Sequence, residues 1–180
     1  SARMSVTGVT GTNGKTSVTS ILAQVLSDWG QPCGVLGTLG YGFYGMLEPA
    51  IETTPNPVRL QSVLAALRDR GAGQVAMEVS SHALDQARVA GVHFESAVFT
   101  NFTRDHLDYH ATMAAYREAK GKLFAWPGLQ RAILNLDDPS AEYFAGCCRS
   151  GMELIGYGLR PEVPAWFHGR RLFAPDVYTH

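Results

Sequence analysis

Hydrophobic positions along the chain follow two patterns, short apolar runs and a periodicity of three to four residues. The first run covers residues 5–9 and is typical of a strand. A polar stretch follows, and then a helical stripe made of Val18, Ile21, Leu22, Val25, Leu26 and Trp29. Gly30 marks the end of this helix. The pattern predicts a strand, a turn and a helix.

The same alternation continues along the rest of the chain. Strands are predicted at residues 33–39, 74–77, 96–99, 132–134, 153–155 and 170–180. Helices are predicted at residues 57–70, 112–124 and 140–148, the first with Asn56 as N-cap and Pro57 in its first turn. The glycine- and tyrosine-rich stretch up to Tyr44 is predicted to be a loop. Strands that alternate with helices predict an α/β fold with a mostly parallel central sheet flanked by helices.

Composition narrows the class of protein. A length of 180 residues with 46% hydrophobic and 17% charged residues is typical of one globular domain. A net charge of −1 argues against binding to nucleic acid or to an anionic membrane. The three cysteines lack metal-binding spacing, and no signal peptide or membrane-spanning run is present. We therefore expect free thiols in a reducing compartment, the cytoplasm.

Residues 11–16, with the sequence GTNGKT, lie between the first predicted strand and its helix. A glycine-rich turn at this position directs backbone N–H groups, a helix N-terminus and Lys15 to one point, which suits a polyphosphate. Thr16 would then offer its hydroxyl to the Mg²⁺ that accompanies a nucleotide. The loop is shorter than the common P-loop, because Val9 occupies the position of its first glycine. We predict a P-loop-type nucleotide-binding domain.

Two further polar clusters follow predicted strands. Glu78 comes directly after the strand at 74–77, and residues 101–110 follow the strand at 96–99. Because ligands bind at the carboxyl edge of open α/β sheets, these clusters should meet the phosphate loop in one cleft. We interpret Glu78 as a Mg²⁺ ligand rather than a helix cap, and His106 as a metal ligand or a phosphate contact.

The predicted helix at 112–124 carries a lysine on its apolar face. Lys120 falls on the face formed by Met113, Tyr116, Leu123 and Phe124. Glu118 and Lys122 are spaced as an exposed ion pair on the other side. Burial lowers the pKa of a lysine, and a neutral amine reacts with CO₂ to give a carbamate, which is an anionic metal ligand.

Five motifs together resemble the central domain of the Mur ligases. They are residues 11–16, Thr53-Thr54-Pro55, residues 78–82, residues 101–108 and the helix with Tyr116 and Lys120. The stretch at 80–89 is most similar to the family member that adds the third peptide residue. The resemblance is strong from about residue 6 to residue 138 and weaker, though recognisable at residues 168–170, towards the end.

The resemblance implies the roles of individual residues. The ATP-binding residues would be Thr12, Asn13, Gly14, Lys15, Thr16, Ser17, Val18 and Asn101. The catalytic residues would be Lys15, Glu78, His106 and Lys120, and the Mg²⁺ ligands Thr16, Glu78, His106 and Lys120 as a carbamate. The contacts to UDP-N-acetylmuramoyl-dipeptide would be Thr53, Thr54, Ser80, Gln86 and Arg88.

The implied reaction belongs to peptidoglycan precursor synthesis. It is the ATP-dependent addition of diaminopimelate or lysine to UDP-N-acetylmuramoyl-L-alanyl-D-glutamate through an acyl phosphate. Mur ligases also carry an N-terminal domain for the uridine diphosphate and a C-terminal domain that selects the amino acid. We therefore expect residues 1–180 to be a monomeric central domain, truncated near its C-terminal end and inactive alone.

Two other functions remain as alternatives to that of a Mur ligase. A ligase similar to folylpolyglutamate synthase would share the fold and the short phosphate loop. The segment at 78–88 and the motif Thr53-Thr54-Pro55 favour the muramyl substrate over it. A non-catalytic nucleotide-binding module would also keep the loop, but the presence of Glu78, His106 and Lys120 argues against it.

Overall fold

The computed structural model of the chain describes residues 4–160 and 162–173. Within these residues the strands are β1 Ser5–Thr10, β2 Cys33–Gly37, β3 Gly40–Phe43, β4 Met46–Glu48, β5 Gln74–Glu78, β6 Phe94–Phe99, β7 Arg131–Asn135, β8 Glu153–Gly158 and β9 Arg170–Phe173. The helices are α1 Lys15–Asp28, α2 Pro57–Asp69, α3 Ser81–Asp85, α4 Leu107–His110, α5 Met113–Phe124 and α6 Ala141–Cys147.

The strands form one sheet in the order β4-β3-β2-β5-β1-β6-β7-β8-β9. All neighbours from β2 to β9 pair in parallel, and the β2–β3 and β3–β4 pairs are antiparallel. The predicted α/β fold with a mostly parallel sheet is confirmed. Val9 in β1 is level with Glu78 in β5 and with Val98 in β6, so the carboxyl ends of these strands lie side by side. After β1 the chain continues to β2, in one direction along the strand order, and after β6 it continues to β7, in the opposite direction. Open α/β sheets bind ligands at such a switch point, beyond the carboxyl ends of the strands.

Helix α1 packs on the sheet through small residues and through only part of the predicted stripe. Its buried residues are Thr19 and Ala23, while Ile21, Val25 and Trp29 are exposed. Small side chains let the helix approach closely, and Ala23 packs in one cluster with residues of β2 and β5. The predicted helix is present, and Leu22 and Leu26 of its stripe are partly buried against this cluster. Ile21, Val25 and Trp29 are more exposed, because the closest approach to the sheet is made by small residues that the apolar periodicity does not mark.

A β-hairpin, β3 and β4, occupies the region that was predicted to be a loop. A Cβ at Gly40 or Gly42 would lie 2.3 or 2.4 Å from a backbone oxygen of β4, so the glycines permit a close pairing of these strands. The preceding strand β2 ends at Gly37, two residues earlier than predicted. The final strand begins at Arg170 as predicted, and the continuation predicted for residues 174–180 lies outside the described residues.

Two further observations concern the helices and the cysteines. In the part of the chain that the structure describes, no helix is both long and apolar enough to cross a bilayer. Cys33, Cys147 and Cys148 are free thiols, as predicted.

The packing of Ala23 on the sheet leads to a first prediction. Ala23→Leu adds bulk at a fully buried position against β2 and β5, and we expect it to lower the free energy of unfolding by about 1–3 kcal/mol. Gln24→Leu places the same side chain on the exposed neighbouring position and should change stability by less than about 0.5 kcal/mol. Urea denaturation of both variants measures the difference, and equal losses would contradict the packing described.

Candidate functional site

The loop between β1 and α1 depends on a close contact with the end of β6. A Cβ at Gly11 would lie 1.9 Å from the hydroxyl oxygen of Thr100, so only glycine fits there. Gly14 is the N-cap of α1 with φ of 82°, a left-handed conformation that glycine adopts without strain. The loop is thereby held against the strand end, directly before the positive N-terminus of α1.

Asn101 fixes the conformation of this loop. Its side-chain oxygen accepts from the backbone N–H of Asn13 at 3.0 Å, and its amide nitrogen donates to the carbonyl of Asn13 at 3.0 Å. Its backbone carbonyl accepts from the N–H of Thr12 at 2.8 Å. Of the other residues assigned to ATP, Ser17 is exposed, and Val18 donates its N–H to the carbonyl of Gly14. Asn101 therefore lies where it would shape a phosphate site.

Two lysines share one acceptor at the beginning of the loop. Lys15 Nζ donates to the carbonyls of Gly11 at 3.0 Å and Thr12 at 2.8 Å. Lys120 Nζ, from the middle of α5, donates to the same Gly11 carbonyl at 2.9 Å. Lys120 is 1% exposed, which confirms its predicted position on the buried face. Burial, followed by the charge of Lys15, lowers the pKa of Lys120 to about 7, and burial also lowers the pKa of Lys15.

Glu78 lies beside the loop and is almost fully buried. Thr16 Oγ1 donates to its Oε1 at 3.0 Å, so these two predicted metal ligands are in contact. Thr38 donates to the same carboxylate through its N–H at 2.8 Å and its hydroxyl at 3.3 Å. A Cβ at Gly37 would lie 2.1 Å from Glu78 Oε1. Sequence reasoning missed Thr38, although its place directly after β2 puts it at the same sheet edge.

His106 and Lys120 both lie near the ring of Tyr116. The ring centre of His106 is 5.8 Å from that of Tyr116, and Lys120 Nζ is 4.5 Å from the same ring. His106 has φ of 52° and an exposed side chain, and its Nε2 is 3.5 Å from Asp105 Oδ2. The left-handed backbone is uncommon for a residue with a Cβ, and such residues concentrate at functional sites.

The donor set around the loop suits one kind of cation. Among the described residues, no three or more His, Cys, Asp or Glu side chains are arranged to hold a metal ion. A metal held by Thr16 and Glu78 would need further oxygen ligands from phosphates and water. Mg²⁺ is bound in this way, through one or two carboxylates and the phosphates of a substrate, whereas a structural zinc site requires a closed protein shell. The residues present therefore fit Mg²⁺.

The residues assigned to the muramyl substrate form a neighbouring cluster. Thr53 Oγ1 is 3.0 Å from Thr38 Oγ1, which links it to Glu78. Thr54 is buried, donates to the backbone carbonyl of Glu78 at 3.0 Å and accepts from the N–H of Ser80 at 3.2 Å. Ser80 Oγ accepts from the N–H of Ala83 at 3.1 Å and caps α3. This side of the cluster therefore fixes the loop after β5.

Arg88 is the half-buried cation of this cluster. Its Nε donates to Gln86 Oε1 at 2.8 Å, and its Nη1 donates to Glu52 Oε2 at 2.9 Å and to the carbonyl of Thr54 at 3.1 Å. A cavity of about 520 Å³ opens beside it. The cavity is lined by Tyr41, Pro49, Ala50, Ile51, Glu52, Pro55, Asn56, Pro57, Arg59, Gln86 and Arg88. The contact with Glu52 was not predicted from the sequence. It shows that the guanidinium of Arg88 is placed to bind a carboxylate.

Two histidines to which the sequence analysis gave no role, His82 and His110, contact residues of the site. The ring centre of His82 is 4.9 Å from that of His106 and 4.1 Å from that of Tyr109. His110 is buried, and its Nε2 is 2.9 Å from Ser81 Oγ. Burial lowers the pKa of both His82 and His110, which favours their neutral forms. Their positions in the polar segments that follow β5 and β6 could have indicated that they lie near the site.

The predicted ion pair between Glu118 and Lys122 is not formed. Lys122 Nζ instead contacts Asp85 Oδ1 at 2.7 Å, and Glu118 is exposed. The hydrogen bond from Lys122 is the main cause that lowers the pKa of Asp85. A tertiary partner on α3 therefore replaces the local partner on the same helix.

Comparisons with known proteins give one consistent family. A family model described as the Mur ligase middle domain matches residues 9–175. The UDP-N-acetylmuramoyl-L-alanyl-D-glutamate--2,6-diaminopimelate ligase of Alkalilimnicola ehrlichii is 55% identical over 172 residues, which cover 96% of this chain and 34% of that protein. A solved structure of a ligase with the same name has a TM-score of 0.83 at 37% identity, covering 89% of this chain and 33% of that one.

A more distant solved structure shares the fold alone. A bifunctional folylpolyglutamate synthase/dihydrofolate synthase with Mn, AMPPNP and L-glutamate bound has a TM-score of 0.63 at 16% identity, covering 85% of this chain and 43% of that one. The present chain spans about a third of the length of the ligase from Alkalilimnicola ehrlichii.

The burial of Lys120 leads to a prediction about pH. In the unfolded chain its pKa returns to the ordinary 10.5, against about 7 in the fold, so the unfolded state binds more protons between these values. The contribution of Lys120 to stability should therefore rise with pH in this window, by about 2 kcal/mol from pH 7 to pH 9. Lys120→Met should remove this rise and stabilise the chain at pH 7. The measurement is urea denaturation at both pH values in buffers freed of CO₂.

The control for this experiment is Lys122→Met, which changes an exposed lysine two residues away. It should keep the pH dependence of the unchanged chain. A Lys120→Met chain with the same pH dependence as the Lys122→Met chain would mean that the buried amine is not the cause.

Proposed function

The chain belongs to the family of Mur ligase middle domains, and we propose that it is the ATP-binding centre of a ligase. The proposed reaction adds diaminopimelate to UDP-N-acetylmuramoyl-L-alanyl-D-glutamate with the conversion of ATP to ADP and phosphate. The observation that carries this proposal is the convergence of Lys15 and Lys120 on the Gly11 carbonyl, next to the contact between Thr16 and Glu78.

The phosphate loop would hold the nucleotide through its backbone and Lys15. The N-terminus of α1 attracts negative charge, and the contacts from Asn101 keep the loop in one conformation. Lys15 Nζ already lies among the carbonyls of the loop, from which it can reach phosphate oxygens. Both features support binding of the β- and γ-phosphates at this point.

Mg²⁺ would be held first by Thr16 and Glu78 and, at a second position, by His106 and a carbamylated Lys120. When bound, the cation would neutralise phosphate oxygens and stabilise the charge of the phosphoryl group during transfer. Glu78 is pre-oriented for this role by Thr38, which binds both of its oxygens.

The chemistry of Lys120 supports its carbamylation. With a pKa of about 7, a large fraction of the amine is neutral at physiological pH. The nitrogen then attacks the carbon of CO₂, a C–N bond forms, and one proton is released. The N–H that remains can still donate to the Gly11 carbonyl. The result replaces a cation that repels Lys15 with an anion that attracts both Lys15 and a metal ion.

The proposed reaction brings two anions together. A carboxylate oxygen of the muramyl peptide attacks the γ-phosphorus of ATP, the bond to the ADP oxygen breaks, and an acyl phosphate forms. The amine of diaminopimelate then attacks the acyl carbon, loses a proton and displaces phosphate. Lys15 lowers the repulsion between carboxylate and phosphate, and a preorganised cation of this kind stabilises the charge that develops in transfer.

Arg88 would orient the muramyl substrate. A guanidinium binds carboxylate or phosphate oxygens through two parallel hydrogen bonds, and Arg88 already binds the carboxylate of Glu52. An anionic group of the substrate would compete with Glu52 for this cation. The cavity beside it is mostly apolar and large enough for part of a peptide or sugar.

Diaminopimelate rather than lysine is proposed because three curated relatives that are 55%, 58% and 59% identical to this chain carry that name. We also propose that the chain works as the central domain of a longer ligase, since it spans 34% of the relative from Alkalilimnicola ehrlichii. Recognition of the uridine diphosphate and selection of the amino acid would then depend on other domains.

The role of Lys15 can be tested by nucleotide binding to this chain. Lys15→Ala should lower the affinity for ATP at least tenfold and leave the fold intact, because the side chain lies in the loop and not in the core. Arg68→Ala is the control, since it removes an exposed cation whose partner is the neighbouring Asp69. Isothermal titration with ATP and Mg²⁺ measures both variants, and an unchanged affinity in Lys15→Ala would refute the assignment.

The role of Lys120 requires a full-length ligase that carries this domain. Lys120→Ala should lose most activity, and added short carboxylic acids should restore part of it by supplying the missing anion. Glu118→Ala is the control, because Glu118 is exposed on the same helix. A Lys120→Ala enzyme with normal turnover would overturn the metal-ligand role, whereas loss without rescue would point to a purely structural one.

A further inference from the structure

A continuous chain of hydrogen bonds joins α5 to the cavity beside Arg88. Lys122 Nζ donates to Asp85 Oδ1 at 2.7 Å, and the hydroxyl of Tyr109 donates to Asp85 Oδ2 at 3.1 Å. Gln86 Nε2 donates to that hydroxyl at 3.1 Å, and Gln86 Oε1 accepts from Arg88 Nε at 2.8 Å. We propose that Tyr109, supported by Asp85, is a positioning residue that holds Gln86 and Arg88 in the orientation that binds the muramyl substrate.

This inference rests on the proposed function, because it gives Arg88 a role in binding an anionic muramyl peptide. It adds a residue that is not among the predicted substrate contacts and that contacts one of them, Gln86. Tyr109 does not line the cavity beside Arg88, so its effect on the substrate would be exerted through Gln86.

Gln86 needs external support. It follows the last residue of α3, its side chain is exposed, and Ala87 after it has a left-handed φ of 53°. An exposed glutamine samples several rotamers, and fixing one of them costs conformational entropy. The hydroxyl of Tyr109 and the Nε of Arg88 bind the two ends of the amide group. The amide is therefore held in one orientation before any substrate contact is made.

Tyr109 is itself fixed at both ends. Its ring lies 4.1 Å from that of His82 and 4.7 Å from that of His110, and His110 is anchored by Ser81. Its hydroxyl is held by Asp85, whose other oxygen binds Lys122. The position of the hydroxyl is therefore determined by α3, α4 and α5 together.

The guanidinium of Arg88 is held from two sides as a result. Gln86 binds its Nε, while Glu52 and the carbonyl of Thr54 bind its Nη1. If a substrate anion replaced Glu52, Gln86 would be the side-chain contact that keeps the fork in place. Loss of the Tyr109 hydroxyl would then weaken binding of the muramyl substrate without touching the phosphate loop.

The test uses steady-state kinetics of a full-length ligase that carries this domain. Tyr109→Phe keeps the ring contacts and removes only the hydroxyl. We expect the KM for UDP-N-acetylmuramoyl-L-alanyl-D-glutamate to rise about three- to tenfold, the effect of one lost hydrogen bond, with kcat and the KM for ATP unchanged. Tyr44→Phe makes the same change at a tyrosine of similar exposure in the β3–β4 hairpin and should have no effect.

A double variant identifies the route of the effect. If Tyr109 acts through Gln86, then Tyr109→Phe combined with Gln86→Ala should raise the KM no more than Gln86→Ala alone. Multiplicative effects of the two substitutions would overturn this route. A merely structural role of Tyr109 would lower kcat or raise both KM values together, and that result would also overturn the proposal.

Arg88→Lys tests the proposed muramyl site independently of the positioning role of Tyr109. It keeps the charge and loses the fork, so it should raise the KM for the muramyl substrate more than the KM for ATP. If Arg88→Lys has no effect, the proposed muramyl site is wrong and the role of Tyr109 is wrong with it. If Arg88→Lys raises the KM and Tyr109→Phe behaves like Tyr44→Phe, only the positioning role is overturned.

Discussion

The contact between the backbone of Gly11 and the side chain of Thr100 is the constraint on which the rest of the site depends. No residue with a Cβ fits at Gly11, since that atom would lie 1.9 Å from the Thr100 hydroxyl. The close approach directs the Gly11 carbonyl towards Lys15 and Lys120 and lets Asn101 bind the next residues of the loop. Parallel pairing of β1 with β6 makes this contact possible, because it brings the two strand ends to the same level. The fold therefore concentrates two amines and a helix N-terminus at one point before any ligand is considered.

Glu78 provides the opposite charge at the neighbouring strand end. Burying a carboxylate is unfavourable unless hydrogen bonds replace its water, and here Thr16 and Thr38 supply them. Gly37 leaves the space that the carboxylate occupies. The backbone carbonyl of Glu78 also accepts a hydrogen bond from Thr54, so one strand end organises both the proposed nucleotide side and the proposed muramyl side.

Local patterns predicted much of this arrangement. The phosphate loop is contiguous in sequence, and the burial of Lys120 follows from its place on the apolar face of one helix. Predictions that need a tertiary partner were weaker. Lys122 pairs with Asp85 rather than with Glu118, because α3 lies beside α5 in the fold. The β3–β4 hairpin was not predicted, because glycines usually indicate loops, whereas these glycines allow close strand pairing.

Separation along the chain also explains why the histidine and tyrosine contacts were missed. His82 lies on α3, whereas His106 and Tyr109 belong to α4 and the turn before it, more than twenty positions away. Only the packing of α3 and α4 against α5 brings them together. These contacts connect the loop after β5, which carries the proposed muramyl contacts, to the helix that carries Lys120. Since the proposed reaction requires a peptide carboxylate to meet a phosphate, a fold that ties both binding regions to the same helix limits their relative motion. The geometry of the two substrates would then be set by the packing of α5 as much as by the residues that touch them.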